Sequence, residues 1–116
     1  MPPGSVATGM TAGDDLFRVL DSDGTVVEGA AVPDLDDATL LDMYREMRLA
    51  RHFDERMVSL QRQGRVGTYA PLAGQEGAQI GSTHALRDDD WILYQYREHG
   101  ALATRGLDPA YLRYWM

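Results

Sequence analysis

The sequence predicts an α/β protein, a parallel sheet flanked by helices, with a long amino-terminal helix ahead of it. Three observations predict this. Apolar residues recur at three- and four-residue steps from Leu40 to Leu60, the helical period. Trp91-Ile92-Leu93-Tyr94 is a short apolar run bounded by charged and polar residues, as expected of a strand buried on both faces. A helical pattern precedes that run and a polar loop follows it, which is the rhythm of α/β units.

The chain has 116 residues, enough for one hydrophobic core. Hydrophobic residues at 44% and charged residues at 25% place it among globular chains rather than disordered ones. No run approaches the roughly 18 apolar residues of a spanning helix, and the first basic residue is Arg18, so no membrane partner and a cytoplasmic location are expected. Zero Cys excludes a disulfide framework, a thiolate metal site and a Cys nucleophile. A net charge of −7 argues against nucleic acid as a partner, because phosphate backbones are met by clustered cations.

Residues 1–16 are rich in small residues, Pro and Gly and read as a flexible leader. Residues 17–35 read as a small hairpin and linker, with β-prone runs on either side of Asp21-Ser22-Asp23-Gly24. That string resembles the start of a calcium loop, but the flanking helices and later Glu of such a loop are not evident, so it reads as a turn. Residues 36–116 read as the start of a larger domain. Its first helix is expected to begin near Asp36, whose carboxylate suits a helix start, and to stop at Gly64, about 27 residues and about 40 Å later. A second helix is expected from near Gln75 to Leu86, closed by Arg87-Asp88-Asp89-Asp90, and a third at Asp108-Pro109. An overlong helix, one expected strand and large apolar residues at Tyr111 to Met116 suggest an amino-terminal fragment of a larger protein.

Polar residues gather in Gln95-Tyr96-Arg97-Glu98-His99-Gly100, at the carboxyl end of the expected strand, where open α/β sheets place ligands. Taken alone, Arg97 suits either a phosphate or a pairing with Glu98 or Asp90. His52 and His84 have no partners at metal-ligand spacing and read as structural.

Four blocks in order carry a family resemblance: Leu60-Gln61-Arg62-Gln63-Gly64-Arg65, Tyr69-Ala70-Pro71 with Gly74-Gln75-Glu76, Asp90-Trp91, and Tyr96-Arg97-Glu98-His99-Gly100 with Arg105-Gly106. From Leu40 to Met116 the chain resembles the start of the alpha subunit of the thiamine-diphosphate-dependent 2-oxo acid dehydrogenases, the pyruvate and branched-chain enzymes of the large multienzyme complexes. The resemblance implies the amino-terminal part of a thiamine-diphosphate-binding fold. It implies decarboxylation of a 2-oxo acid, pyruvate first and a branched-chain acid as the alternative, with acyl transfer to a lipoyl group. It implies thiamine diphosphate and Mg2+ as cofactors, with the magnesium ligands outside this chain. The implied partners are a beta subunit, in an alpha2beta2 heterotetramer, and the lipoyl-bearing acyltransferase component.

Residue by residue, the resemblance puts Tyr96 and Arg97 on the cofactor diphosphate. A guanidinium fork can bond two phosphate oxygens and a phenol adds a neutral donor. The resemblance makes Tyr69 a substrate-channel aromatic, Gln75 and Glu76 supports of their loop, and His99 a candidate catalytic residue. An isolated loop His is also often structural. A noncatalytic module that docks its long helix on a partner is the alternative from another class, and cofactor affinity separates the two.

Overall fold

A computed structural model of the chain describes residues 18–108, which fall into two compact units divided between Asp34 and Leu35. The leader expected at 1–16 and the helix expected from Pro109 onward lie outside the described residues.

In the first unit the chain reverses over Asp21 to Gly24. Leu20 and Val26 form an antiparallel bridge, and Val27 N–H donates to the Val19 carbonyl at 3.0 Å. The Asp23 carboxylate accepts from Thr25 N–H at 3.0 Å and from the Thr25 hydroxyl at 2.7 Å, which lowers its pKa. Its oxygens therefore close a turn.

The second unit is built from three helices: α1 (Asp37–Arg62), α2 (Glu76–His84) and α3 (His99–Thr104), each packed on the other two. Asp36 caps α1, its carboxylate accepting from Thr39 N–H at 2.7 Å. Its other end closes at Gly64. There Arg65 N–H reaches the Leu60 carbonyl and Gly64 N–H the Gln61 carbonyl, a pairing that needs the left-handed φ of +68° that Gly64 adopts. The inward stripe of α1 is Met43, Met47, Ala50, Asp54 and Met57, at steps of four and three. Leu40 and Tyr44, expected on that stripe, are about half exposed. Leu72 and Ile80, both fully buried, pack with Ala50, Met43 and Met47 into the central cluster.

The parallel sheet expected from the sequence is not shown by the described residues. Among the described residues there is no strand beyond the Leu20–Val26 bridge, and Trp91 to Tyr94 is irregular. Trp91 is 91% and Leu93 93% exposed, so neither side chain is in a core. A strand is stabilised by the ladder it shares with a neighbour, and none of the described residues supplies that neighbour. Helix α3, which begins at His99, lies inside what reads as a loop in the sequence and is separate from the helix expected at Asp108-Pro109.

The approach to Trp91 is nonetheless fixed. The Arg105 guanidinium, just past α3, donates to the carbonyls of Arg87, Asp88 and Asp90 at 2.7–3.0 Å. Glu46 ties the helices together, its Oε2 accepting from the Thr104 hydroxyl at 2.6 Å and lying 3.0 Å from His84 Nε2.

Candidate functional site

Asp54 sits in the middle of the apolar stripe of α1 and is 2% exposed. Its Oδ1 accepts from the Tyr69 hydroxyl and from Leu72 N–H, both at 2.7 Å. One carboxylate oxygen thereby pins the segment Tyr69-Ala70-Pro71-Leu72 against the helix. Burial, followed by the hydrogen bond to Asp54, pushes the Tyr69 phenol well above its ordinary pKa, so it remains a protonated donor.

The ring of His99 stacks on that of Tyr69, with centroids 5.3 Å apart and planes 19° from parallel. Phe53 meets both rings edge-on at 6.4 Å. His99 is buried, and its Nε2 has no hydrogen-bond partner. Burial lowers the His99 pKa, partly offset by the Ala70 carbonyl and the charges of Asp54 and Glu98.

The sign of the resulting pH dependence follows. As pH falls below the ordinary imidazole value of 6.5, the unfolded chain gains a proton that the folded chain resists. Stability is therefore expected to decline with falling pH, by at most about 1.4 kcal/mol per pH unit from this group. The check is the urea midpoint from pH 8 to pH 5 in wild type and His99→Gln; parallel profiles would assign the decline elsewhere. Glu76 and Glu98, whose carboxyls lie below the ordinary 4.5, act only at lower pH.

His99 lines a cavity of about 1030 Å³ together with Thr68, Ala70, Tyr94, Tyr96 and Arg105. Tyr96 is 61% exposed, and the Arg97 guanidinium lies over its ring, 5.4 Å from the centroid. Arg97 itself is not part of the cavity wall. Neither carboxylate expected as its partner binds its guanidinium. Glu98 accepts from Gln95 N–H at 3.0 Å and Arg97 N–H at 3.1 Å, and Asp90 pairs with Arg87 at 2.9 Å. Burial acts to raise the Glu98 carboxyl, but those N–H groups outweigh it.

Tyr69, Tyr96 and His99 are thus brought to one region, whereas Gln75 and Glu76 do not line its cavity. Glu76 is buried at the start of α2, bonded to the Arg51 guanidinium of α1 and to Gly74 N–H at 3.0 Å. The Arg51 bond holds its carboxyl low despite the opposing effect of burial. Gln75 is exposed, and its backbone N–H donates to the Leu72 carbonyl at 2.9 Å.

Two residues that shape the site were not legible as such in the sequence. Asp54 offers only a weak signal, a carboxylate at an apolar position of the stripe. Gln79 offers none, yet its side-chain amide bonds the Arg97 carbonyl at 3.2 Å and Gly100 N–H at 3.0 Å. Among the described residues no three His, Asp or Glu side chains are grouped to hold a metal ion. His52 is exposed, and no helix among the described residues is long and apolar enough to cross a membrane.

Comparison with known proteins adds an independent line. The chain is 44% identical over 93 residues to the pyruvate dehydrogenase E1 component subunit alpha of Staphylococcus epidermidis, covering 80% of this chain and 25% of the relative. It is 46% identical over 95 residues to the subunit of the same name from Bacillus subtilis, covering 82% of this chain and 25% of the relative. The chain therefore spans about a quarter of the length of these relatives. Residues 44–114 match the family model of the dehydrogenase E1 component, a match that includes most of α1, all of α2 and α3, and the Tyr69–His99 stack. That match covers more than half of the sequence, and the chain belongs to the dehydrogenase E1 component family.

Proposed function

We propose that this chain serves as part of the alpha subunit of a thiamine-diphosphate-dependent pyruvate dehydrogenase, with Tyr96 and Arg97 holding the cofactor diphosphate. The observation that carries the reading is the Arg97 guanidinium. It has no carboxylate partner among the described residues, and it lies over the ring of Tyr96, which lines the large cavity though Arg97 does not. A cation left without a counter-charge beside a phenol donor fits a diphosphate. The names of the relatives support pyruvate as the substrate.

When bound, thiamine diphosphate supplies the carbanion that decarboxylates a 2-oxo acid. This chain contributes binding and orientation. The planar fork of Arg97 would hold the diphosphate, with the Tyr96 hydroxyl as a further donor. His99 lines the cavity, held neutral by burial, and Tyr69, fixed by Asp54, keeps the imidazole ring in place. Magnesium ligands and the remaining catalytic groups are assigned to other parts of the assembly, a beta subunit included. The acyl acceptor is the lipoyl group of an acyltransferase component, and the setting is the cytoplasm.

The test is cofactor affinity in the complete, assembled protein. Arg97→Ala is expected to weaken thiamine diphosphate binding by about 10- to 100-fold, the loss of one or two charge-assisted hydrogen bonds. Arg97→Lys restores part of it, since an ammonium keeps the charge without the fork. Calorimetric titration giving equal affinity for Arg97→Ala and wild type would overturn the assignment.

A further inference from the structure

We propose that Gln79 is the positioning residue for the cofactor-binding turn, acting through the backbone of Arg97; the inference rests on the reading of Arg97 given above. Helix α3 starts without its own cap, because Glu98 makes no side-chain capping bond and spends its carboxylate on Gln95 and Arg97 N–H. The first N–H groups of a helix have no partner within it. Gly100 N–H is one of them, and it donates to Gln79 Oε1 at 3.0 Å. Through Nε2 the same amide donates to the Arg97 carbonyl at 3.2 Å, outside the helical ladder, whose first acceptor is Glu98. One buried amide on α2 therefore grips both ends of the four-residue turn that carries Arg97 and His99.

The orientation of that amide is itself determined. Gln75 Oε1 lies 3.4 Å from Gln79 Nε2, so the amino group faces two oxygens and the amide oxygen is left for Gly100. Gln79 is 7% exposed. A Cβ at position 100 would stand 3.0 Å from Gln79 Oε1, so any larger residue there would press on the amide. The consequence for binding is directional. With its carbonyl tethered, Arg97 leaves the turn along a fixed backbone vector, and its guanidinium is pre-oriented for the diphosphate rather than ordered at binding.

A double-mutant cycle in the complete, assembled protein tests this, with thiamine diphosphate affinity as the readout. Gln79→Met removes both hydrogen bonds at similar volume. It is expected to weaken binding about 10-fold when Arg97 is present and less than about 2-fold in the Arg97→Ala background, because a residue acting through Arg97 has nothing left to position. Equal losses in both backgrounds would show a merely structural role and overturn the inference, as would no loss in either. If Gln79→Met does not fold, Gln79→Glu, which keeps an acceptor for Gly100 N–H but loses the donor to Arg97, goes through the same cycle with the same expectation. An Arg97→Ala protein that binds like wild type would sink the diphosphate reading itself. A loss in Arg97→Ala that is additive with Gln79→Met sinks only the role of Gln79.

Discussion

Replacing Asp54 with alanine is expected to destabilise the three-helix unit by about 3–5 kcal/mol, because two buried donors lose their acceptor at once. The Tyr69 hydroxyl and Leu72 N–H both end on Asp54 Oδ1, and Tyr69 and Leu72 are 3% and 0% exposed. Water does not reach them in the folded chain. Asp54→Asn keeps a carbonyl oxygen in the same place and should cost markedly less. Melting temperatures of the three proteins at one concentration give the comparison; equal losses for the alanine and asparagine variants would show that charge, not acceptor geometry, holds the loop. The effect should extend to the site, since Tyr69 carries the stacked His99 ring.

A second large effect is expected at Ile80. It is fully buried between Leu72 and Ala50, with Met43 and Met47 packed against the same cluster. Ile80→Ala should cost about 2–5 kcal/mol, from lost transfer free energy plus the cavity left behind. Ile80→Val, removing one methylene, should cost about 0.5–1.5 kcal/mol. Urea titration of both variants measures the gradient, and a small, equal cost for the two would mean that the neighbouring methionines close the gap. Met43 and Met47 have the flexible side chains suited to such repacking, so the cost is placed in the lower half of the range.

The helices show how much of the fold was legible in the sequence. The start and stop of α1 could be read from single residues, Asp36 as the cap and Gly64 as the terminator, because both work through local chemistry. The apolar face of α1 was legible in its phase but not in its membership. Leu40 and Tyr44 have the right spacing near the helix start, yet they are about half exposed. The strand reading of Trp91 to Tyr94 failed for a different reason. An apolar run states that a segment is suited to burial, and only a neighbouring chain segment can complete a ladder there.

The site was legible as a set of residues and not as an arrangement. Tyr69, Tyr96, Arg97 and His99 stand out by type and by family resemblance. The Tyr69–His99 stack joins positions 30 apart in sequence, and nothing local to either encodes it. Asp54 and Gln79 were missed because a helical Asp or Gln normally faces solvent, and a buried one looks the same in the sequence. Their roles emerge only when α1 and α2 are set against the segments they hold.

The bare stretch from Trp91 to Tyr94 has a bearing on handling as well as on architecture. Side chains this apolar and this open to solvent, on backbone without ladder partners, form a ready template for β-pairing between molecules. Preparations in which the stretch stays uncovered carry a built-in tendency to self-associate.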